Sequence, residues 1–127
     1  MTDSQWESVL TASSPEVRDL AIGAQALIAE TVPDAQTEVD SGSRLLGFTY
    51  RPGTYKGLFA GVAVHAKHVN IMLSRGAELA DGAGGELLDG TGKRARHIKV
   101  TSADQLGDPR VAELVTSAAA LTRRDLS

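Results

Sequence analysis

Leu58-Phe59-Ala60-Gly61-Val62-Ala63-Val64, followed after His65-Ala66-Lys67-His68 by Val69-Asn70-Ile71-Met72-Leu73, is the stretch on which the fold turns. The first run is continuously apolar, with small residues at Ala60, Gly61 and Ala63, as in a central strand approached closely on both faces. The second alternates Val69, Ile71 and Leu73 with His68, Asn70 and Met72, the period-2 pattern of a strand buried on one side. Ala66-Lys67 supplies the hairpin tip between them. Upstream, Leu45 to Tyr50 reads as a strand closed by the turn Arg51-Pro52-Gly53-Thr54, and downstream Arg96 to Val100 reads as another.

Helices flank these strands. Ser13-Ser14-Pro15-Glu16 combines a capping serine with a proline at the first helical position, where its missing N–H costs nothing. Val17, Leu20, Ala21, Ala24, Leu27 and Ile28 then form an apolar seam of helical period, which Pro33 stops. Asp108 before Pro109 opens a closing helix with a stripe of Val111, Leu114, Val115, Ala118 and Leu121, and Arg123 and Arg124 complement the negative end of its dipole. Trp6, Val9 and Leu10 predict a short packing arm over residues 1–13. The expectation is one α+β domain over residues 1–127, an antiparallel sheet packed by N-terminal and C-terminal helices in two layers.

Composition bounds the chemistry. The chain has 127 residues, 42% hydrophobic and 23% charged, which is ordinary for one globular domain and unlike a disordered chain. It has no cysteine, which removes disulfides, thiolate catalysis and cysteine-ligated metals together. No apolar run approaches the roughly 18 residues of a membrane span, and Met1-Thr2-Asp3-Ser4 lacks a signal-peptide pattern, so a soluble cytoplasmic protein without membrane contact is expected. The net charge of −3 conceals segregation: residues 1–43 hold eight acids against Arg18, whereas residues 44–75 hold Arg44, Arg51, Lys56, Lys67 and Arg75 and no acid.

Motifs for catalysis fail on spacing. Gly85 to Lys93 resembles a phosphate loop, but Leu87 occupies the first glycine position and Arg94 replaces the Ser or Thr that would hold magnesium. Gly82, Gly84 and Gly85 miss the dinucleotide fingerprint, and Asp81, Glu86 and Asp89 miss the alternation of a calcium loop. Gly82 to Gly92 reads instead as a mobile acidic loop. There is no Gly-x-Ser-x-Gly elbow, and no residue set recommends an enzyme or a catalytic residue. Only Phe59 and Tyr55 offer stacking surfaces, too few for a nucleic-acid platform.

Strand alternation gathers the histidines. With Val62, Val64, Val69, Ile71, Leu73, Ile98 and Val100 turned toward the helices, Phe59, Gly61, Ala63 and His65 face the other way with His68, Asn70, Met72, His97 and Lys99. A one-residue register slip would reverse every assignment. Neutral imidazoles suit a metal, protonated ones beside Lys99 and Arg94 suit an anion, and a plain solvated or dimer-forming face is the third use. The candidate ligand-binding residues are His65, His68, Asn70, Arg94, Arg96, His97 and Lys99, for a small anionic ligand or a protein partner.

Val69-Asn70-Ile71-Met72-Leu73-Ser74-Arg75-Gly76-Ala77-Glu78-Leu79, with Leu87-Leu88-Asp89-Gly90-Thr91-Gly92-Lys93-Arg94-Ala95-Arg96-His97-Ile98-Lys99-Val100, resembles the YdhG-like family, a bacterial domain of unknown function. The second block is the more specific, and the resemblance covers residues 15–122. The chain lacks the Gly-Met-Pro-like turn of that family near Gly47 and an aromatic near Met72 to Ser74. The resemblance implies a compact α+β fold. Some members are described as frataxin-like iron chaperones, which implies iron as a cargo, with Glu16, Asp19, Glu30 and Asp34 as candidates beside the histidines. A homodimeric interaction protein is the remaining alternative.

Overall fold

A computed structural model describes residues 2–127, with side-chain surroundings from Ser4 onward. In chain order come α1 (Thr2–Thr11), α2 (Pro15–Thr31), β1 (Gln36–Asp40), β2 (Leu45–Thr49), β3 (Leu58–Val64), β4 (Val69–Leu73), α3 (Gly76–Leu79), a 3-10 turn (Gly85–Leu87), β5 (Arg96–Val100), α4 (Ala103–Leu106) and α5 (Pro109–Leu126). The five strands form an antiparallel meander in the order β1-β2-β3-β4-β5. The fold is α+β.

Why the helices form is local. The Ser14 hydroxyl accepts from the backbone N–H of Val17, and Pro15 follows it at the first helical position. Asp108 caps α5 in the same way, accepting from the N–H of Arg110, ahead of Pro109. Val17, Leu20, Ala21, Ala24 and Ile28 of α2 are buried, as are Val111, Leu114, Val115, Ala118, Ala119 and Thr122 of α5. Alanine at 21, 24, 118 and 119 lets these helices lie close to each other and to β3. Trp6, Val9 and Leu10 of α1 are buried as well, and Trp6 Nε1 donates to Gln25 Oε1 at 2.8 Å.

The sheet fixes which side chains meet them. Ala60 pairs with Leu73, Val62 with Ile71 and Val64 with Val69, while across the next ladder Ile71 pairs with Ile98 and Val69 with Val100. All are buried and form the floor under α2 and α5. The helices α2 and α5 leave the opposite face uncovered, so β3 is central but packed by helices on one side only. Over Gly61 the second cover comes from the sheet itself, because an added Cβ there would stand 2.8 Å from Leu45 Cδ1.

One expectation is corrected. Phe59 does not face outward with Gly61: the β2–β3 register shifts between Phe48 and Thr49, so that Phe48 pairs with Ala60 and Thr49 with Leu58. The unpaired extra residue of this bulge is Phe59, which turns into the core alongside Ala60, is fully buried and stacks on Tyr50 with ring centroids 5.2 Å apart. The acidic glycine-rich stretch expected as a mobile loop over Gly82 to Gly92 is a series of hydrogen-bonded turns as far as Asp89. Gly85 N–H donates to Gly82, Leu87 to Gly84 and Leu88 to Gly85, and Asp89 then exchanges backbone hydrogen bonds of 2.7 and 3.1 Å with His97. Gly85 is required there, since a Cβ would lie 2.0 Å from the Ala80 carbonyl oxygen.

Truncating Phe59 to Ala should cost about 3–5 kcal/mol of unfolding free energy in a urea titration, as for any fully buried aromatic. A change below about 1 kcal/mol would place the ring back on the surface.

Candidate functional site

The uncovered face of the sheet holds the histidines. His65 N–H donates to the His68 carbonyl at 2.9 Å, closing the hairpin through Ala66 and Lys67. This tight turn puts both imidazoles on the same side, stacked at 4.6 Å between centroids with 10° between planes. Asn70 Nδ2 lies 3.3 Å from His65 Nε2. Asn70 pairs with Lys99 and Met72 with His97 across the β4–β5 ladder, so Lys99 and His97 rise on the same face.

Five of the seven sequence candidates therefore come together: His65, His68, Asn70, His97 and Lys99. Two do not. Arg94 stands before β5, with its Cζ 5.6 Å from the centroid of the exposed Tyr55 ring, at the opposite end of the face from the histidine pair. Arg96 pairs with Leu73 and shares the register of buried Ile98, so it starts on the helix side of the edge, where its Nε donates to the Gly92 carbonyl at 2.8 Å.

The cluster is mainly basic, with Asp89 beside it in antiparallel register with His97. His65, His68, His97 and Lys99 take part in no ion pair among the described residues, whose ion pairs engage Arg75, Arg110 and Arg124. Partial burial holds the His68 imidazole below the ordinary histidine range, and His65, Lys99 and His97 push it the same way as neighbouring positive charges. The Asn70 side-chain oxygen is buried and without a hydrogen-bond partner, beside this group. A ligand donor, or a water, would satisfy it.

Residues that the sequence reading left out share the face. Glu38 pairs with Gly47 and Asp40 with Leu45, which puts both carboxylates on the same side as the histidines at the far edge. The Ser43 hydroxyl and N–H hold the Asp40 carboxyl below the usual carboxylate range. Glu38 Oε2 accepts from the Gly53 N–H at 2.8 Å, and a cavity of about 340 Å³ lies between Glu38, Asp40, Leu45, Leu58 and Tyr55. The alternation of Gln36, Glu38 and Asp40 with Thr37 and Val39 was the available signal, and it is faint.

Among the described residues, no three His, Asp or Glu side chains converge as a metal ion would need. Glu16, Asp19, Glu30 and Asp34 are each exposed and dispersed along and just beyond α2. No described helix is long and apolar enough to cross a membrane. Comparison with family models, curated proteins and solved structures finds no match to the chain.

His68 gives a pH signature. Folded, it loses its proton more readily than in the unfolded chain, so below about 6.5 the unfolded state binds the more protons and stability rises with pH. That contribution is complete above about 6.5 and is lost as pH falls from there toward the folded value. The urea midpoint of the protein should drop between about pH 7.5 and 5.5, and His68→Gln should flatten the drop. Equal slopes in both proteins would refute the assignment.

Proposed function

We propose that the protein is a non-catalytic binding module that takes carboxylate or phosphate groups on the basic half of its open sheet face. The observation that carries this reading is that His65, His68, His97 and Lys99 stand together on one solvent-facing surface and none of them forms an ion pair among the described residues, Asp89 being held beside His97 by backbone hydrogen bonds alone. An uncompensated cluster of donors beside an orphaned amide oxygen costs folding energy through mutual repulsion, and an anion arriving there relieves it. The likeness of residues 15–122 to the YdhG-like family belongs to the same proposal.

The chemistry of the groups favours binding over turnover. His65 and His68 contact each other and Asn70, and no nucleophile is hydrogen-bonded to either ring among the described contacts. An imidazole oriented toward a hydroxyl would be the start of acid–base catalysis. An iron-carrying role would draw on the same histidines one or two at a time, and ferrous ion is the natural competitor in the test.

Thermal unfolding in the presence of phosphate, citrate and ferrous ion decides the class, since a ligand that binds only the folded state stabilises it by about 2.7 kcal/mol at a hundredfold excess over Kd. Phosphate or citrate is expected to raise Tm in a salt-sensitive manner. The His68→Ala, His97→Ala double variant should fold and bind at least about tenfold more weakly. Undiminished affinity in that variant, or a shift with ferrous ion alone, overturns the reading.

A further inference from the structure

The open face carries opposite charges at its two edges, in register. Following the strand pairing across the sheet, one row runs Glu38, Gly47, Gly61, Met72, His97, and the next runs Asp40, Leu45, Ala63, Asn70, Lys99. Each row begins with a carboxylate on β1, crosses mainly small or apolar residues, and reaches a basic group on β5; the first continues past His97 to Asp89, which bridges it, whereas the second ends on Lys99, so Asp40 and Lys99 carry the charge opposition. Four strand spacings separate the ends by roughly 19 Å, so the charges cannot pair within one chain. Glu38 and Asp40 accept hydrogen bonds from Gly53 and Ser43 but, like His97 and Lys99, enter no ion pair among the described residues.

Between the edges the surface is low. Leu45 lies over Gly61 and Leu58 over Gly47, where added Cβ atoms would stand 2.8 and 2.9 Å from their δ-methyl groups. Leu45, Leu58, Ala63 and Met72 are all half-buried, leaving an apolar strip from which the exposed Tyr55 stands out at the end away from the histidine hairpin. Such a strip with an acidic and a basic border is complementary to itself.

We infer that this face binds a second copy of the chain, face to face, about a twofold axis running along β3. An in-plane axis parallel to the strands exchanges the β1 and β5 edges while keeping each row level. Asp40 of one copy then lies over Lys99 of the other, and Glu38 over His97, each contact occurring twice as an isologous interface requires. An axis across the strands would set β1 on β1 and bring carboxylate to carboxylate. Stacked sheets ordinarily pack about 10 Å apart with their strands within about 30° of parallel, which the favoured axis allows. The inference rests on reading this face as the binding surface, and it names the carboxylates which the basic half receives.

Sedimentation equilibrium on the full chain tests it, using Asp40→Lys and Lys99→Glu, both at exposed positions. The wild type should be a dimer whose affinity falls as salt rises. Each variant alone should dimerise at least about tenfold more weakly, because it places like charges opposite each other. An equimolar mixture of the two should recover the dimer, since the reversed charge at position 40 of one chain then meets the reversed charge at position 99 of the other, while the second contact keeps its native pair. This recovery also shows that both variants fold. A wild type that stays monomeric at millimolar chain, or a dimer unaffected by either reversal, overturns the inference. Phosphate binding by the Asp40→Lys variant, which keeps every basic group, is read separately by thermal shift, so the anion site stands or falls without the dimer.

Discussion

The pairing of β3 with its two neighbours is the constraint from which the rest follows. Because α2 and α5 form a single layer, the large aliphatic side chains at the centre of the sheet have to leave on one side, and the ladder of Ala60 with Leu73, Val62 with Ile71 and Val64 with Val69 enforces that side. A slip of one residue would turn Ile71 and Val62 to solvent and bury Asn70. The bulge at Phe59 resolves the one conflict in this scheme. Strict alternation would leave a phenyl ring on the open face, and an extra residue in the ladder turns it into the core against Tyr50. Tyr50 is in turn held by Arg123 at the end of α5, whose guanidinium lies 5.4 Å from the ring centroid, and by Asp34 after α2.

The same one-sidedness shapes the chemistry. With the apolar residues committed inward, the outward positions of five strands are free to carry polar groups, and the meander order places β1 and β5 at opposite edges. β1 continues the acidic N-terminal region, and β5 lies in the basic stretch from Lys93 to Lys99. Charge segregation along the chain thus becomes charge separation across a surface. The stacked histidines at the β3–β4 hairpin intensify the basic half, since each positive charge there raises the cost of the next. The proposed anion binding and self-association would be two ways of satisfying the same groups.

Much of this was legible beforehand, and the reason is periodicity. Strands 58–64 and 69–73 and the helices opening at Pro15 and Pro109 carry strong patterns with clear caps, and the structure puts them at those positions. The common face of His65, His68, Asn70, His97 and Lys99 followed from parity alone. Where the pattern is faint the reading stopped: Gln36 to Asp40 has one half-buried valine and gave no strand, so Glu38 and Asp40 escaped notice. The segment from Gly82 to Asp89 looks like a loop because Gly85 serves backbone packing against Ala80 and Gly84 a left-handed backbone, neither of which has a side-chain signature.

The amino-acid sequence by itself determined the two long helices, the strands from β2 to β5, the antiparallel hairpin at His65 to His68 and which residues of each strand travel together, because these depend on contacts between near neighbours. Only the tertiary structure decided that Phe59 leaves its strand's alternation and that two carboxylates of β1 border the face on which the histidines stand. Each of these depends on the register between neighbouring strands, and register is set by how the whole core packs, not by the residues of any one strand.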